Sequence, residues 1–390
     1  MADAAGTVNI TITAVAKVGN TYYATLEDAF ANDGGQPVIL LTNVETASFE
    51  IDDGNTHKLD LNGSSIGSTS TTVTVLDAGT SLEISGEGSI ISEHSECLYI
   101  GRGTSLTVKN GIIKTESPKI ASIFVNGAVT ISGGTIISQA DAWEMGAVFV
   151  TESVFALGTA TITGGNFIGG LKVGSLSTAT ISGGTFSSVT PGGESVYIQY
   201  EDGKIVLGEG KAFHNEAGLP IKPPAVDEPL TGTVTVKDCE HNNPDLCEYT
   251  HTTGTTTHSM TCLACGKDLG EKPCNLVYTS INETQHKITC DLCGREDTGA
   301  HDFEFSAEGD STSQECKKTC KICPYEKSLG TYSITPDFEV PFDQTRGKTL
   351  TVTAPAGAQL TNIRWYVDGA TDPAPNINGM TFTLYLMRPF

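Results

Sequence analysis

The sequence predicts an all-β chain organised around a parallel β-helix, and three observations carry that prediction. Residues 159–186 contain Thr159-Ala-Thr-Ile-Thr-Gly-Gly-Asn-Phe167, a short spacer, and Thr178-Ala-Thr-Ile-Ser-Gly-Gly-Thr-Phe186. Each half alternates apolar residues with Thr or Ser, turns on a Gly pair and resumes with an aromatic, the pattern of a strand, a corner and the next strand. The unit recurs from Leu59, Leu82, Leu106, Val129, Ala160, Ala179 and Ile205, with spacings of 23, 24, 23, 31, 19 and 26 residues. A loose period of this kind belongs to a solenoid whose corner loops vary in length, here of seven coils. Composition agrees, since 43 glycines and only 18% charged residues suit short strands and tight turns.

The elements follow in order. Thr25-Leu-Glu-Asp28 reads as a capping box, so Leu26 to Ala31 forms a short helix with Leu26 and Phe30 facing inward and a stop at Asp33-Gly34. Such a helix plugs the open end of a solenoid, whose exposed strand edges otherwise invite aggregation. In the coils, alternation points Leu59/Leu61, Leu82/Ile84, Leu106/Val108, Val129/Ile131, Ala160/Ile162, Ala179/Ile181 and Ile205/Leu207 inward. After the Gly corner a further inward column reads Ile66, Ile90, Ile113, Ile136, Phe167, Phe186, Phe213. Another sheet is expected from Val73–Val75, Leu98–Ile100, Ile123–Val125, Val148–Val150, Leu171–Val173 and Val196–Ile198.

Tyr22-Tyr-Ala-Thr-Leu-Glu-Asp-Ala-Phe30, Val38-Ile-Leu-Leu41, Leu59-Asp-Leu-Asn-Gly63 and the repeated Ile-Ser-Gly-Gly-Thr resemble the right-handed, pectate-lyase-like β-helices of surface proteins from gut Clostridia-type bacteria. The resemblance covers about half the chain and implies the fold, which hosts lyases, hydrolases, adhesins and stalks alike. The motifs that would mark catalysis are missing. Asp60 and Glu83 are expected one above the other, but the Thr column that follows, Thr107, Thr130, Thr161 and Thr180, supplies no base. A non-catalytic role is therefore expected, with a polysaccharide-active enzyme as the alternative.

The outward positions of the sheet beginning at Val73 read Thr74, Tyr99, Phe124, Phe149, Lys172, Tyr197, beside an enlarged loop carrying Trp143. Exposed, this aromatic column suits a sugar ring or a partner protein. The other reading is that the loop folds back over Phe124 and Phe149 and buries them. Cys97 reads as a packed small residue, since no His/Asn pattern accompanies it.

Residues 1–214 thus form the capped β-helix, and Pro220, Pro223, Pro224 and Pro229 mark 215–238 as a linker or strap. Residues 239–328 form a module holding ten of the eleven cysteines. There Cys247, His258, Cys262 and Cys265 make one set; Cys274, His286, Cys290 and Cys293 a second; His301, Cys316, Cys320 and Cys323 a third. Cys-x2-Cys turns with two further Cys or His ligands suit tetrahedral structural zinc, so three zinc ions are expected, with Cys239 or His241 as alternatives to Cys247. A disulfide framework is the rival reading, but it gives the histidines no role. The Cys/His repeats also resemble modules that follow β-helices in the same surface proteins. Residues 329–390 alternate like strands around Trp365 and resemble a small Ig-like sandwich, short of the about 100 residues of a full one.

The formal charge of −23 disfavours nucleic acid and anionic lipid as partners, and no apolar run reaches the about 20 residues of a spanning helix. Met1-Ala-Asp-Ala-Ala opens no signal peptide, so the chain is expected to be a piece of a longer exported protein. The resemblance implies secretion or display on a bacterial cell wall, and an adhesin-type partner such as an immunoglobulin, another host protein or a mucin glycan.

Overall fold

A computed structural model describes residues 13–45, 48–151, 157–241, 243–251, 255–309, 313–336, 348–353 and 381–384. The chain divides into two compact units, Met1–Glu248 with Met260–Gly270, and Tyr249–Ser259 with Glu271–Phe390.

The first unit is a parallel β-solenoid. A coil runs through Ser81–Ser85, Gly88–Ser92 and Leu98–Ile100 before Ser105–Val108 pairs in parallel with Ser81–Ser85 one coil below. Three sheets of ten, ten and eight strands result. Leu, Ile, Val and Phe from all three fill one continuous core, and Phe167 stacks on Phe186 at 4.7 Å between ring centroids. The Gly pairs are required at the corners for two different reasons. A Cβ on Gly183 would lie 2.3 Å from the carbonyl oxygen of Thr163 one coil below, and Gly184 adopts φ 108°, a left-handed value that residues with a Cβ avoid. An inward row of hydroxyls interrupts the apolar core: Ser92 Oγ donates to Ser70 O at 2.8 Å, Thr115 Oγ1 to Ser95 O at 2.6 Å and Ser138 Oγ to Ile120 O at 2.9 Å. These bonds satisfy corner carbonyls that burial would otherwise strand.

The cap forms as the sequence predicts. Thr25 Oγ1 accepts from Asp28 N at 3.1 Å, and helix Leu26–Ala31 buries Leu26, Ala29 and Phe30. Phe30 stacks on Phe49 and meets the edge of His57, whose buried ring bridges Asp33 and Asp53 at 2.8 Å on each side. Burial opposes charge on His57, but hydrogen bonds to the two carboxylates outweigh it and raise its pKa. Nothing in the sequence singled out His57.

Two expectations are corrected. Asp60 does not stand above Glu83: Asp60 pairs with Ser85, while Glu83 has Lys58 below and Thr107 above. The strand slips by two residues, which keeps every side chain on its face but changes its vertical neighbour. Part of segment 215–238, expected as a linker or domain-joining strap, forms strands that close the solenoid. Thr233–Asp238 inserts antiparallel between Lys211–His214 and Thr185–Ser187, and Leu230–Thr231 pairs antiparallel with Glu194–Ile198. Val234 and Val236 face the core, so the strap covers edges that a bare last coil would leave open.

Beyond it lie short antiparallel sheets. Leu276–Ser280, Gln285–Cys290 and Arg295–Ala300 form one of three strands. Phe303–Gly309, Ser313–Cys320, Glu326–Pro336, Lys348–Thr353 and Thr381–Leu384 form one of five. The boundary expected at 329 therefore falls inside a strand. The expected strand Ile363–Gly369 lies outside the described residues. Among the described residues, no helix is long and apolar enough to cross a membrane.

Candidate metal centres

The cysteine knuckles are built alike. Each begins at the end of a strand: Thr257–Cys262, Gln285–Cys290 and Ser313–Cys320. Burial works against the charged thiol at each of these terminal cysteines. Against it, the N–H groups of Ala264 and Cys265, with His241, bring Cys262 to about 7, and those of Leu292 and Cys293 bring Cys290 to about 6. The N–H of Ile322, with His301, brings Cys320 to about 6. These shifts run towards the thiolate, the form a metal ion binds.

Three groups of four ligand atoms form, with all four atoms of each lying within 4.8 Å of one another: Cys239, His241, Cys262, Cys265; His258, Cys274, Cys290, Cys293; and His286, His301, Cys320, Cys323. In the first, Cys239 Sγ lies 3.7 Å from Cys262 Sγ and Cys265 Sγ 3.6 Å from His241 Nδ1. In the second, Cys274 Sγ lies 3.8 Å from Cys293 Sγ and 3.5 Å from His258 Nδ1. In the third, Cys323 Sγ lies 3.3 Å from His301 Nδ1. A four-coordinate ion with metal–sulfur bonds of about 2.3 Å and metal–nitrogen bonds of about 2.0 Å has ligand edges of about 3.8 and 3.5 Å. The three groups can hold metal ions. None of the eleven cysteines is disulfide-bonded, and sulfurs 3.7 and 3.8 Å apart are far outside the about 2.05 Å of a disulfide.

The third group carries its own sign of a missing partner. His286 is only 2% exposed, yet its Nδ1 has no hydrogen-bond partner. His301 Nε2 donates to Asn282 O at 2.9 Å, which leaves the Nδ1 lone pair for an ion, the usual way a neighbouring acceptor orients an imidazole ligand. Gly299 stands opposite His286, where a Cβ would lie 2.9 Å from the imidazole Nε2.

These groups differ from those the spacing suggests, for a geometric reason. His258 precedes Cys262 by four residues, and His286 precedes Cys290 by four, on extended strands. Such residues share a face but stand about 13 Å apart, too far for one ion. Each His therefore serves the group after that of the Cys on its strand. Cys316 occupies the same strand position relative to Cys320 and lies outside the three groups, as does Cys247. Cys239 and His241, weighed only as substitutes for Cys247, both belong to the first group. Cys239 follows the closing strand of the solenoid, its N–H donates to Gly210 O at 2.8 Å, and Ala212, Ala264 and Leu246 pack around this site.

The aromatic column of the solenoid is in the expected register, and its members share its length unevenly. Tyr99 stacks on Phe124 at 5.7 Å and both are half-buried. Phe149 and Tyr197 are 9% and 4% exposed, so they do not offer themselves to a partner. Lys172 explains the difference. Its Nζ lies over the rings of Phe149 and Tyr197 and donates to Trp143 O at 3.0 Å and Glu144 O at 2.7 Å, holding the loop down. Burial lowers its pKa. At its other end Asp141 accepts from Val189 N and Thr190 Oγ1. Trp143 rests on Tyr197 at 5.0 Å yet remains 54% exposed. Cys97 is buried, donates to Lys114 O and is pushed up to about 12 by burial, which makes it inert as a nucleophile.

No family model, curated protein or solved structure matches the chain.

Proposed function

We propose that this chain is part of a non-catalytic bacterial protein, secreted or displayed on the cell wall, that binds a host protein such as an immunoglobulin, or a mucin glycan. The β-helix presents the binding face, three structural zinc ions stiffen the Cys/His module, and the chain ends in an Ig-like piece. Zinc suits the N/S ligand sets because it favours tetrahedral coordination with two to four thiolates, and four protein ligands leave no position for activating water.

One observation carries the binding role: a half-exposed Trp143 on a loop fastened at both ends, resting on Tyr197 in the same column that bears the half-buried pair Phe124 and Tyr99 three and four coils away. A fixed aromatic loses little freedom when it binds, and Trp and Tyr are the residues that most often anchor an interface. Burial of Phe149 and Tyr197 shrinks the patch, and that observation favours a second reading, a passive spacer. The test is a binding panel of mucin, plant polysaccharides and host secreted proteins including immunoglobulins, scored for bound partner and released sugar. Binding without release, lost in Trp143→Ala and in the double variant Tyr99→Ser with Phe124→Ser, is the expected result. Retained binding in both variants moves the site elsewhere, absence of any partner favours the spacer, and released sugar reinstates the enzyme.

A further inference from the structure

We propose that the second and third metal sites form one coupled array, in which an ion at either site raises the affinity of the other. The proposal rests on the zinc reading above and concerns ligands that all lie in the second unit.

The shared element is strand Gln285–Cys290, the centre of its three-stranded sheet. Cys290 pairs with Leu276 and Arg295, which places it at the end of the sheet where Cys274 enters and Cys293 turns. His286 pairs with Ser280 and Gly299, at the opposite end, beside His301. One sheet therefore gives three ligands to the second site at one end and two to the third at the other, about 13 Å apart. His258 completes the second site from a preceding strand, and Cys320 and Cys323 complete the third from the following sheet.

Little else orders this sheet. Along its three strands only His286 and Cys290 are buried. With so little apolar surface removed from water, pairing of the strands must be stabilised by the ions themselves. Zinc at the second site fixes Cys274, Cys290 and Cys293, and with them the register that aligns His286 with Gly299 and brings His301 alongside. The third site is then organised before its ion arrives. The reverse holds equally, because a coupling free energy between two sites is reciprocal. Rings continue the link: Tyr278 meets His286 at 5.4 Å, His286 meets His301 at 5.4 Å and His301 stacks on Tyr325 at 4.7 Å.

The experiment uses the full chain, stripped by chelation and titrated with zinc against a chromogenic competitor. Cobalt serves as a second probe, since the third site's two thiolates absorb differently from the three of each other site. Cys293→Ser removes a second-site ligand and leaves all four third-site ligands in place. The expected result is a third site weakened about tenfold or more, within the 5- to 150-fold range typical of coupled sites. His301→Gln is expected to weaken one three-thiolate site by the same factor. In the unaltered chain, two of the three ions should enter in a single cooperative step, a readout that does not depend on how either variant folds. Three ions bound in the unaltered chain, with each variant losing only its own and the others within twofold, overturn the coupling and keep the zinc reading. An unaltered chain that takes up no ion overturns both.

Discussion

The solenoid and the Cys/His module solve the same problem, holding short strands in register, by different means. Each solenoid coil adds apolar side chains to a core shared with its neighbours, so the strands of one coil template those of the next. The module has no comparable core. Among the described residues between Gln285 and Cys323 its buried side chains are His286, Cys290, Cys316, Cys320 and Cys323, four of them candidate metal ligands. Strand order in the first region is set by water exclusion along its length, and in the second, on the zinc reading proposed above, by ions at the ends of its sheets. A solenoid built in this way tolerates the loss of one contact, whereas an ion-stapled sheet does not.

That contrast can be pushed from both sides. The largest effect is expected for Cys290→Ser, which strips a thiolate from the second metal site, where the proposed zinc would contribute about 10–16 kcal/mol. Proteolysis should then cut within 276–300 while the solenoid's melting transition stays in place. Phe186→Ala, in the stacked pair with Phe167, should cost about 3–5 kcal/mol and lower that transition without changing the metal content. An effect of Phe186→Ala on metal content would show that the two regions are not independent in the way the contrast requires.

At the cap, His57 adds a pH dependence. Its pKa is raised by Asp53 and Asp33, so its contribution is fully present below about 6.5 and fades as pH rises through the folded value. Asp53, held near 2 because its bonds to Asn55 and His57 outweigh burial, contributes above its usual range and loses that contribution as pH falls towards 2. Thermal melts across pH should therefore show alkaline destabilisation of the solenoid that His57→Gln removes. The smallest effect belongs to Glu83→Gln. Its partly exposed ion pair with Lys109 at 2.8 Å is worth no more than about 0.2–1 kcal/mol, so the solenoid's transition should barely move.

The solenoid was legible because its signal repeats. Alternation fixes which side chains face in, and seven copies of a unit reveal the coil even where Leu59 proves to sit beside Ile84 rather than Leu82. A two-residue slip is invisible to a pattern of period two. His57 was not legible, since one polar residue in an inward row carries no period and its partners lie 24 and 4 residues away. The knuckles were legible from Cys-x2-Cys, but the grouping was not. Spacing in sequence shows that His258 and Cys262 belong together on a strand, and only the extended geometry of that strand shows that they cannot share an ion. The Pro-rich strap misled because its prolines, Pro220 to Pro229, all precede strand Thr233–Asp238, whose Val234 and Val236 carry the apolar signal.

On the zinc reading, ions rather than a core order the Cys/His module, whereas the solenoid orders itself. Hydrogen exchange on the full chain, with and without a chelator, tests it most directly. Chelation should abolish amide protection in Thr257–Cys262, Gln285–Cys290 and Ser313–Cys320 while Leu98–Ile100 and Ile123–Val125 stay protected. Protection of the three knuckle strands that survives chelation would contradict it.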